Sequence, residues 1–458
     1  MVFSSPIFLF VFFPIMFIIY YLLKKQYRNG WLLLCSLVFY AWSGLKYLII
    51  LLLSVIFNFL ISKKIEQKKG KFLLLGIIFN IGLLGIYKYL NFFIENVASL
   101  LGWLNINLSI NRFDIIMPIG ISFFTFQILA YDIDLYWGKV ERQQRLDKLL
   151  LYVSMFPQLI AGPIVRYIDV EKEIENREIS KENVYYGLQR FVIGLAEKVL
   201  LADLLGNCLN YIFVENVASG TIQSWFGMFI YSMQIYLDFT GYSDMAIGMG
   251  EMLGFHFSEN FINPYSATSI QDFWRRWHIS LSSWFRDYLY IPLGGNRGGK
   301  WKTYRNLLII FAVTGLWHGA SWNFVIWGLW HGGFAIFERL GGRKFLIKMP
   351  KVLQRIYTLL VVGIGWLMFR TDRFYENLNC IKRLFIYKSS GSLTALVSIL
   401  DIKLIICIII SIIICLGGFN WKRKQRNILF DIGIILLFWC AIMQISSSQF
   451  SPFLYFRF

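Results

Sequence analysis

Residues 6–23 read PIFLFVFFPIMFIIYYLL, eighteen positions without a charge, followed at once by Lys24, Lys25 and Arg28. A helix that crosses a bilayer needs ~20 mostly apolar residues, and this run is of that order. No basic residue precedes it and three follow, the reverse of a cleavable signal peptide. The segment is therefore expected to stay as a first span with the N-terminus outside, because Lys and Arg collect on the cytosolic side.

Working outward, the pattern repeats. Basic clusters at 24–28, 63–71, 139–148, 339–355 and 422–426 alternate with apolar segments at 31–42, 45–61, 72–90, 115–137, 146–165, 184–214, 222–255, 306–338, 356–369, 402–419 and 428–445. Segments 31–42 and 45–61 suit an out-and-back pair. Segments 156–166 and 238–250 carry Pro or Gly together with charge. They are expected to be re-entrant or kinked, which the membrane interior tolerates only under protein cover or beside water.

The 458 residues are 57% apolar, 18% aromatic and 16% charged, whereas soluble domains carry ~25% charged residues. That composition excludes a soluble enzyme, a disordered chain and a disulfide scaffold. It implies an all-α polytopic membrane protein, a single multi-span domain over residues 1–458, with roughly 10–12 transmembrane helices plus re-entrant and interfacial pieces. The net charge of +18 is assigned to cytosolic loops and not to nucleic acid. Six scattered cysteines form no C-x-x-C pair and read mostly as small buried hydrophobes.

Residues 263–305 form the longest stretch of low hydropathy in the second half. Ser269 with Asp272 reads as a helix start, and Pro292 with Gly294 and Gly295 as its stop. Between them Trp274, Trp277, Leu281, Trp284 and Tyr288 recur on one helical face, with Arg275, Arg276, Arg286 and Asp287 towards another. An amphipathic helix on the cytosolic surface is expected. The Gly-rich loop GGNRGGK at 294–300 matches a phosphate loop by count only. Trp301 stands where Mg²⁺ binding needs Ser or Thr, and no strand precedes it. Backbone N–H groups beside Asn296, Arg297 and Lys300 still suit the phosphates of an anionic donor, against the plainer reading of a positively charged turn.

Four histidines occur. His318 lies in LWHGASW at 316–322, where Thr314 and Trp322 share its face if the helix is continuous, a polar strip able to line a tunnel. His331 repeats the Trp-His-Gly pattern. On one unbroken helix the two imidazoles would stand ~140° and about 20 Å apart and could not serve one reacting atom. His278 follows Trp274-Arg275-Arg276-Trp277, and His256 receives no role. Lys198, Asp203, Asp238 and Asp244 are structural pairs or cavity lining. No His/Cys/carboxylate cluster suits a metal.

FPQLIAGPIVRY at 156–167, DFTGYSD at 238–244, DFWRRWHISLSSWFRDYLYIPLGGNRGG at 272–299 and LWHGASWNFVIWGLWHG at 316–332 together resemble the membrane-bound O-acyltransferase family, especially its alginate and peptidoglycan O-acetylating members. The resemblance covers essentially the whole chain, including the aromatic ending 453–458. It implies a helical bundle around a central tunnel and an essential membrane histidine with a polar partner roughly 40 positions earlier. His318 and His278 stand 40 apart, so His318 is favoured over His331. Glu197-Lys198 departs from the basic pair common in the family after Gly-Leu.

The expected activity is transfer of acetyl from cytosolic acetyl-CoA, with no tightly bound cofactor, across the cytoplasmic membrane to an extracytoplasmic polysaccharide. The resemblance implies an SGNH-type extracytoplasmic partner. His318 and His278 are the catalytic candidates, and Trp274, Arg275, Arg276, Trp277, Asn296, Arg297, Trp317 and Trp322 the substrate-binding ones. Two alternatives are D-alanyl transfer to teichoic acid from a carrier protein, and lipid or acyl-donor transport without chemistry.

Overall fold

The computed structural model describes residues 1–106, 112–213, 220–370, 373–387, 397, 399–418 and 427–447. Among them are helices and turns and no strand. The basic cluster at 422–426 and the aromatic ending at 453–458 lie outside the described residues. The chain divides into two compact units, one of Met1–Glu178 with Gly254–Phe257, the other of Ile179–Leu253 with Ser258–Phe458.

The first unit holds α1 (Phe8–Leu22), α2 (Lys25–Ala41), α3 (Leu45–Glu66), α4 (Gly70–Trp103), α5 (Ile121–Trp137), α6 (Leu146–Ser154), α7 (Phe156–Leu159) and α8 (Tyr167–Glu175). Helices α2 and α3 fall on the segments at 31–42 and 45–61 and contact each other. Helix α4 runs past the apolar stretch ending at 90. Between α3 and α4 the side-chain amides of Asn58 and Asn80 bond reciprocally, Asn80 Nδ2 donating to Asn58 Oδ1 at 2.9 Å. Polar groups at membrane depth must find such partners within the protein. Segment 156–166 is broken as expected: α7 is one turn, and residues 160–165 are irregular yet buried. His256, left without a role above, sits with its Nδ1 2.6 Å from Glu173.

The second unit holds α9 (Lys181–Ala196), a π-helical segment (Glu197–Ala202), α10 (Asp203–Phe213), α11 (Thr221–Leu253), α12 (Ile270–Arg276), α13 (Ile279–Phe285), α14 (Lys300–His318), α15 (Trp322–Phe337), α16 (Arg343–Lys348), α17 (Lys351–Phe369), α18 (Phe374–Phe385), α19 (Ile402–Cys415) and α20 (Ile428–Ser447). By length and apolarity α3, α4, α17 and α20 can each cross a bilayer, and α1 and α19 are shorter apolar helices. The protein is a multi-pass membrane protein.

Two expectations are corrected here. Residues 238–250 are not kinked, because α11 runs unbroken for 33 residues. Its glycines serve close approach instead. A Cβ on Gly241 would lie 2.6 Å from the Gly194 carbonyl oxygen of α9, and one on Gly248 would lie 2.5 Å from that of Gly187. Small residues let helix backbones meet in this way in membranes. Gly241→Ala is expected to push α9 from α11 and destabilise the fold by about 1–3 kcal/mol, the usual cost of overpacking, read as a lowered midpoint of thermal unfolding in detergent. The charged residues of this layer are structural pairs: Lys198 Nζ meets Asp238 at 2.9 Å and also Asp203, and Arg190 bridges Asp244 and Glu259.

The second correction concerns 272–290. The single amphipathic helix is two short ones, α12 and α13, which part at Trp277 and His278. His278 takes a left-handed backbone with φ 43°, uncommon for a non-glycine residue. The start is as read, since Ser269 Oγ accepts from the Asp272 N–H. The stop also holds, with left-handed Gly294 and Gly295. Trp277, Leu281, Trp284 and Tyr288 are buried, so the aromatic face is real although the helix is not continuous. All six cysteines are free thiols, and five of them are buried.

Candidate functional site

The two Trp-His-Gly motifs do not share a helix. Helix α14 ends at His318, Gly319 and Ser321 take extended backbone around a bend, and α15 starts at Trp322. The two helices fold back on each other with backbones in contact. A Cβ on Gly315 would lie 2.0 Å from the Phe324 carbonyl oxygen, and one on Gly328 would lie 2.0 Å from that of Phe311. The separation expected for an unbroken helix is therefore overturned. Both imidazoles stand 5.1 Å from the Trp327 ring. The two imidazoles therefore share one indole as a neighbour.

The neighbours extend this arrangement. Trp317 touches His318 at 5.0 Å and His278 at 6.2 Å between ring centroids. Trp274 touches His331 at 5.1 Å and Trp327 at 5.6 Å. Phe369 of α17 packs on His318 at 5.0 Å, and Trp277 lies 4.7 Å from Trp366. These spacings are those of edge and offset aromatic pairs. Three histidines from separate sequence positions thus share one layer of indoles.

Their exposures differ. His331 is wholly buried, and neither of its ring nitrogens has a hydrogen-bond partner among the described residues. A Cβ on Gly365 of α17 would lie 2.5 Å from its Nε2, so the backbone of α17 seals it. His278 is 1% exposed and His318 is 6% exposed at a helix end, which makes His318 the most accessible of the three.

His278 is held by Asn260, whose Oδ1 lies 3.1 Å from Nδ1 and also accepts from Ser280 Oγ at 2.9 Å. Asn260 Nδ2 donates to Ser243 Oγ of α11. Burial pushes the His278 pKa down to about 3, so the ring is neutral at physiological pH. With Asn260 Oδ1 as acceptor the proton sits on Nδ1 and the lone pair on Nε2.

Beside this layer lies a cavity of about 430 Å³, lined on one side by α12 and α13 and on the other by Phe311, Thr314 and Arg339. Ligand sites commonly span ~300–1,000 Å³. Arg275, Arg286 and Arg339 are among its lining residues, Arg286 being paired with Asp287. Trp274 lines the cavity and touches His331, while Thr314 lines it one turn before His318. The indole N–H groups of Trp274 and Trp327 are buried donors without acceptors among the described residues.

Several sequence candidates fall elsewhere. Trp322 begins a different helix from His318 and is 57% exposed, so it does not share the His318 face. Arg276 is engaged by Asp272 at 2.8 Å and by Ser266. Asn296 and Arg297 lie on an exposed turn and do not line the cavity described. Arg286 and Arg339 line the cavity beside Arg275, and Arg276 and Arg297 are not among its lining residues. Trp327, Trp366, Phe369, Asn260 and Glu338 were not singled out in the sequence. Trp327 lay inside the quoted motif, whereas Asn260 carried no signal. The Glu338 carboxylate accepts from the Ile270 and Gln271 N–H groups at 2.6 and 3.1 Å and so ties the start of α12 to the end of α15.

The model of the family described as MBOAT, membrane-bound O-acyltransferase family, matches residues 145–370. The chain is 35% identical to the probable alginate O-acetylase AlgI of Azotobacter vinelandii over the full length of both chains. It is 41% identical to that of Pseudomonas aeruginosa over 84% of this chain and 74% of the relative. It is 37% identical to the peptidoglycan O-acetyltransferase of Helicobacter pylori, covering 83% of this chain and 79% of the relative. The matched span holds the histidine layer and the arginine-lined cavity together, and the chain belongs to the membrane-bound O-acyltransferase family.

Proposed function

We propose that this O-acyltransferase takes acetyl from acetyl-CoA on the cytosolic face of the cytoplasmic membrane and delivers it for O-acetylation of an extracytoplasmic polysaccharide. The carrying observation is the break at 319–321. It turns His318 into a helix-end residue one turn from a cavity that three arginines line. Guanidinium groups suit the phosphates of a CoA donor, and the apolar remainder of the cavity suits a thioester arm. The names of the relatives, alginate and peptidoglycan O-acetylases, point to acetyl as the group and polysaccharide as its destination.

In this reading His318 removes the proton from an acceptor hydroxyl as its oxygen attacks the thioester carbon. The C–O bond forms, the C–S bond breaks, and the imidazolium returns the proton to the departing thiolate. The Trp327 indole N–H is a candidate donor to the carbonyl oxygen as charge develops there. Neutral His278, fixed by Asn260, orients a substrate group across Trp317. An SGNH-type extracytoplasmic partner completes delivery to the polymer.

The test supplies membranes with acetyl-CoA labelled in the acetyl group. CoA thiol release that depends on this protein, with label recovered from envelope polysaccharide as base-labile ester, is expected. Label carried across without thiol release would mark a transporter and overturn the proposal.

A further inference from the structure

We infer that a cleft in the second unit, away from the histidine layer, binds one molecule of zwitterionic phospholipid. The cleft has two compartments that share Leu204 and Lys403. The larger, about 480 Å³, lies between the π-helical segment, α19 and α20. Its lining is aliphatic apart from Phe430, Cys407, Glu197 and Lys403. The smaller, about 360 Å³, is lined by Asn207, Tyr211, Asp401 and Lys403 among others. An apolar slot that opens into a polar one matches an acyl chain joined to a headgroup.

The polar compartment carries both signs of charge. The Asp401 carboxylate accepts from the Leu404 N–H at 2.7 Å, which fixes it at the start of α19. Lys403 Nζ donates to Gln444 Oε1 at 2.8 Å. A carboxylate has about four lone-pair sites and an ammonium three donors, so each retains capacity after these bonds. A headgroup with phosphate and ammonium offers the complementary pair. A transmembrane helix of another chain is a poor occupant, because a cylinder about 10–12 Å across does not enter a cavity of this volume. Lipid tails elsewhere in the bilayer are as apolar as this slot, so selectivity must come from the headgroup contacts.

The cleft also bears on the core. Glu197 lines it, while its neighbour Lys198 pairs with Asp238 and Asp203. An acyl chain seated here covers the outer side of the π-helical segment and keeps water from those ion pairs.

The test uses the full chain in proteoliposomes containing phosphatidylethanolamine with a diazirine in its acyl chain. After irradiation, adducts are mapped by peptide mass spectrometry. Adducts concentrated on residues 197–204 and 402–415 are expected, displaced by unlabelled phosphatidylethanolamine and far less by phosphatidylglycerol. Ile410→Trp, at a partly exposed cleft position, should cut the cleft adducts several-fold and leave those on the lipid-facing side of α3 unchanged. Leu204→Phe gives the same readout from the opposite wall if Ile410→Trp does not fold. Adducts no denser in the cleft than on α3, adducts indifferent to both variants, or equal displacement by the two lipids would each overturn the site.

Discussion

His318→Ala is expected to lower CoA release and acetyl transfer by about 10²–10⁴-fold, the usual contribution of a positioned base, while the protein still inserts and purifies. Truncation also opens space beside Trp317, Trp327 and Phe369, which pack on the ring. His318→Gln therefore accompanies it, retaining much of the volume and hydrogen-bonding capacity without a group that accepts a proton at neutral pH. Both variants should share the loss of turnover, and the glutamine variant should keep the parental unfolding midpoint. His331→Phe is the contrasting case. His331 is sealed by Trp274, Trp327, Trp366 and the backbone of Gly365 and does not line the cavity, so the folded fraction of this variant should retain most of the turnover. Should His331→Phe abolish acetyl transfer while His318→Gln spares it, the catalytic role would pass to His331.

Much of this site was legible and some of it was not, for identifiable reasons. The aromatic face of 274–288 could be read because burial follows helical spacing, and Trp277, Leu281, Trp284 and Tyr288 are indeed buried. The break at His278 could not, since neither Gly nor Pro marks it. Tertiary bonds impose it: the Ile262 N–H donates to the Arg276 carbonyl and the Ile279 N–H to that of Asn260. The break at 319–321 did carry a signal, with Gly319 directly after α14 and Ser321 directly before α15 as stop and start residues. The apolar residues on both sides masked it, and the two imidazoles were placed only on the premise of one unbroken helix. The cavity was the least legible feature. Arg275 and Arg339 are far apart in sequence, and only the return of α15 beside α12, fixed by Glu338, brings them to one lining.

Gly328→Ala is expected to have the second large effect, because it acts on the hairpin that creates the site. The added methyl would meet the Phe311 carbonyl oxygen at 2.0 Å and its carbon at 2.8 Å. Both belong to helix backbone, which cannot turn aside as a side chain can, so α14 and α15 must separate. Gly315 opposite Phe324 repeats the same backbone contact along the pair, and a shift at Gly328 therefore propagates towards the break at 319–321. A destabilisation of about 1–3 kcal/mol or more is expected from overpacking of this kind. Separation of the helices would also move Trp327 relative to His318, so activity should fall further than the unfolded fraction accounts for, since misplacement by about 1 Å can cost ~10²-fold in rate. Gly333→Ala is the internal control: it lies on the same helix with nothing within 4 Å of an added Cβ, and it should leave both stability and turnover near parental values. Thermal unfolding in detergent, measured beside CoA release at a temperature where both variants remain folded, separates the two effects. Parental turnover in Gly328→Ala would mean that the close seam between α14 and α15 does not position the histidine layer.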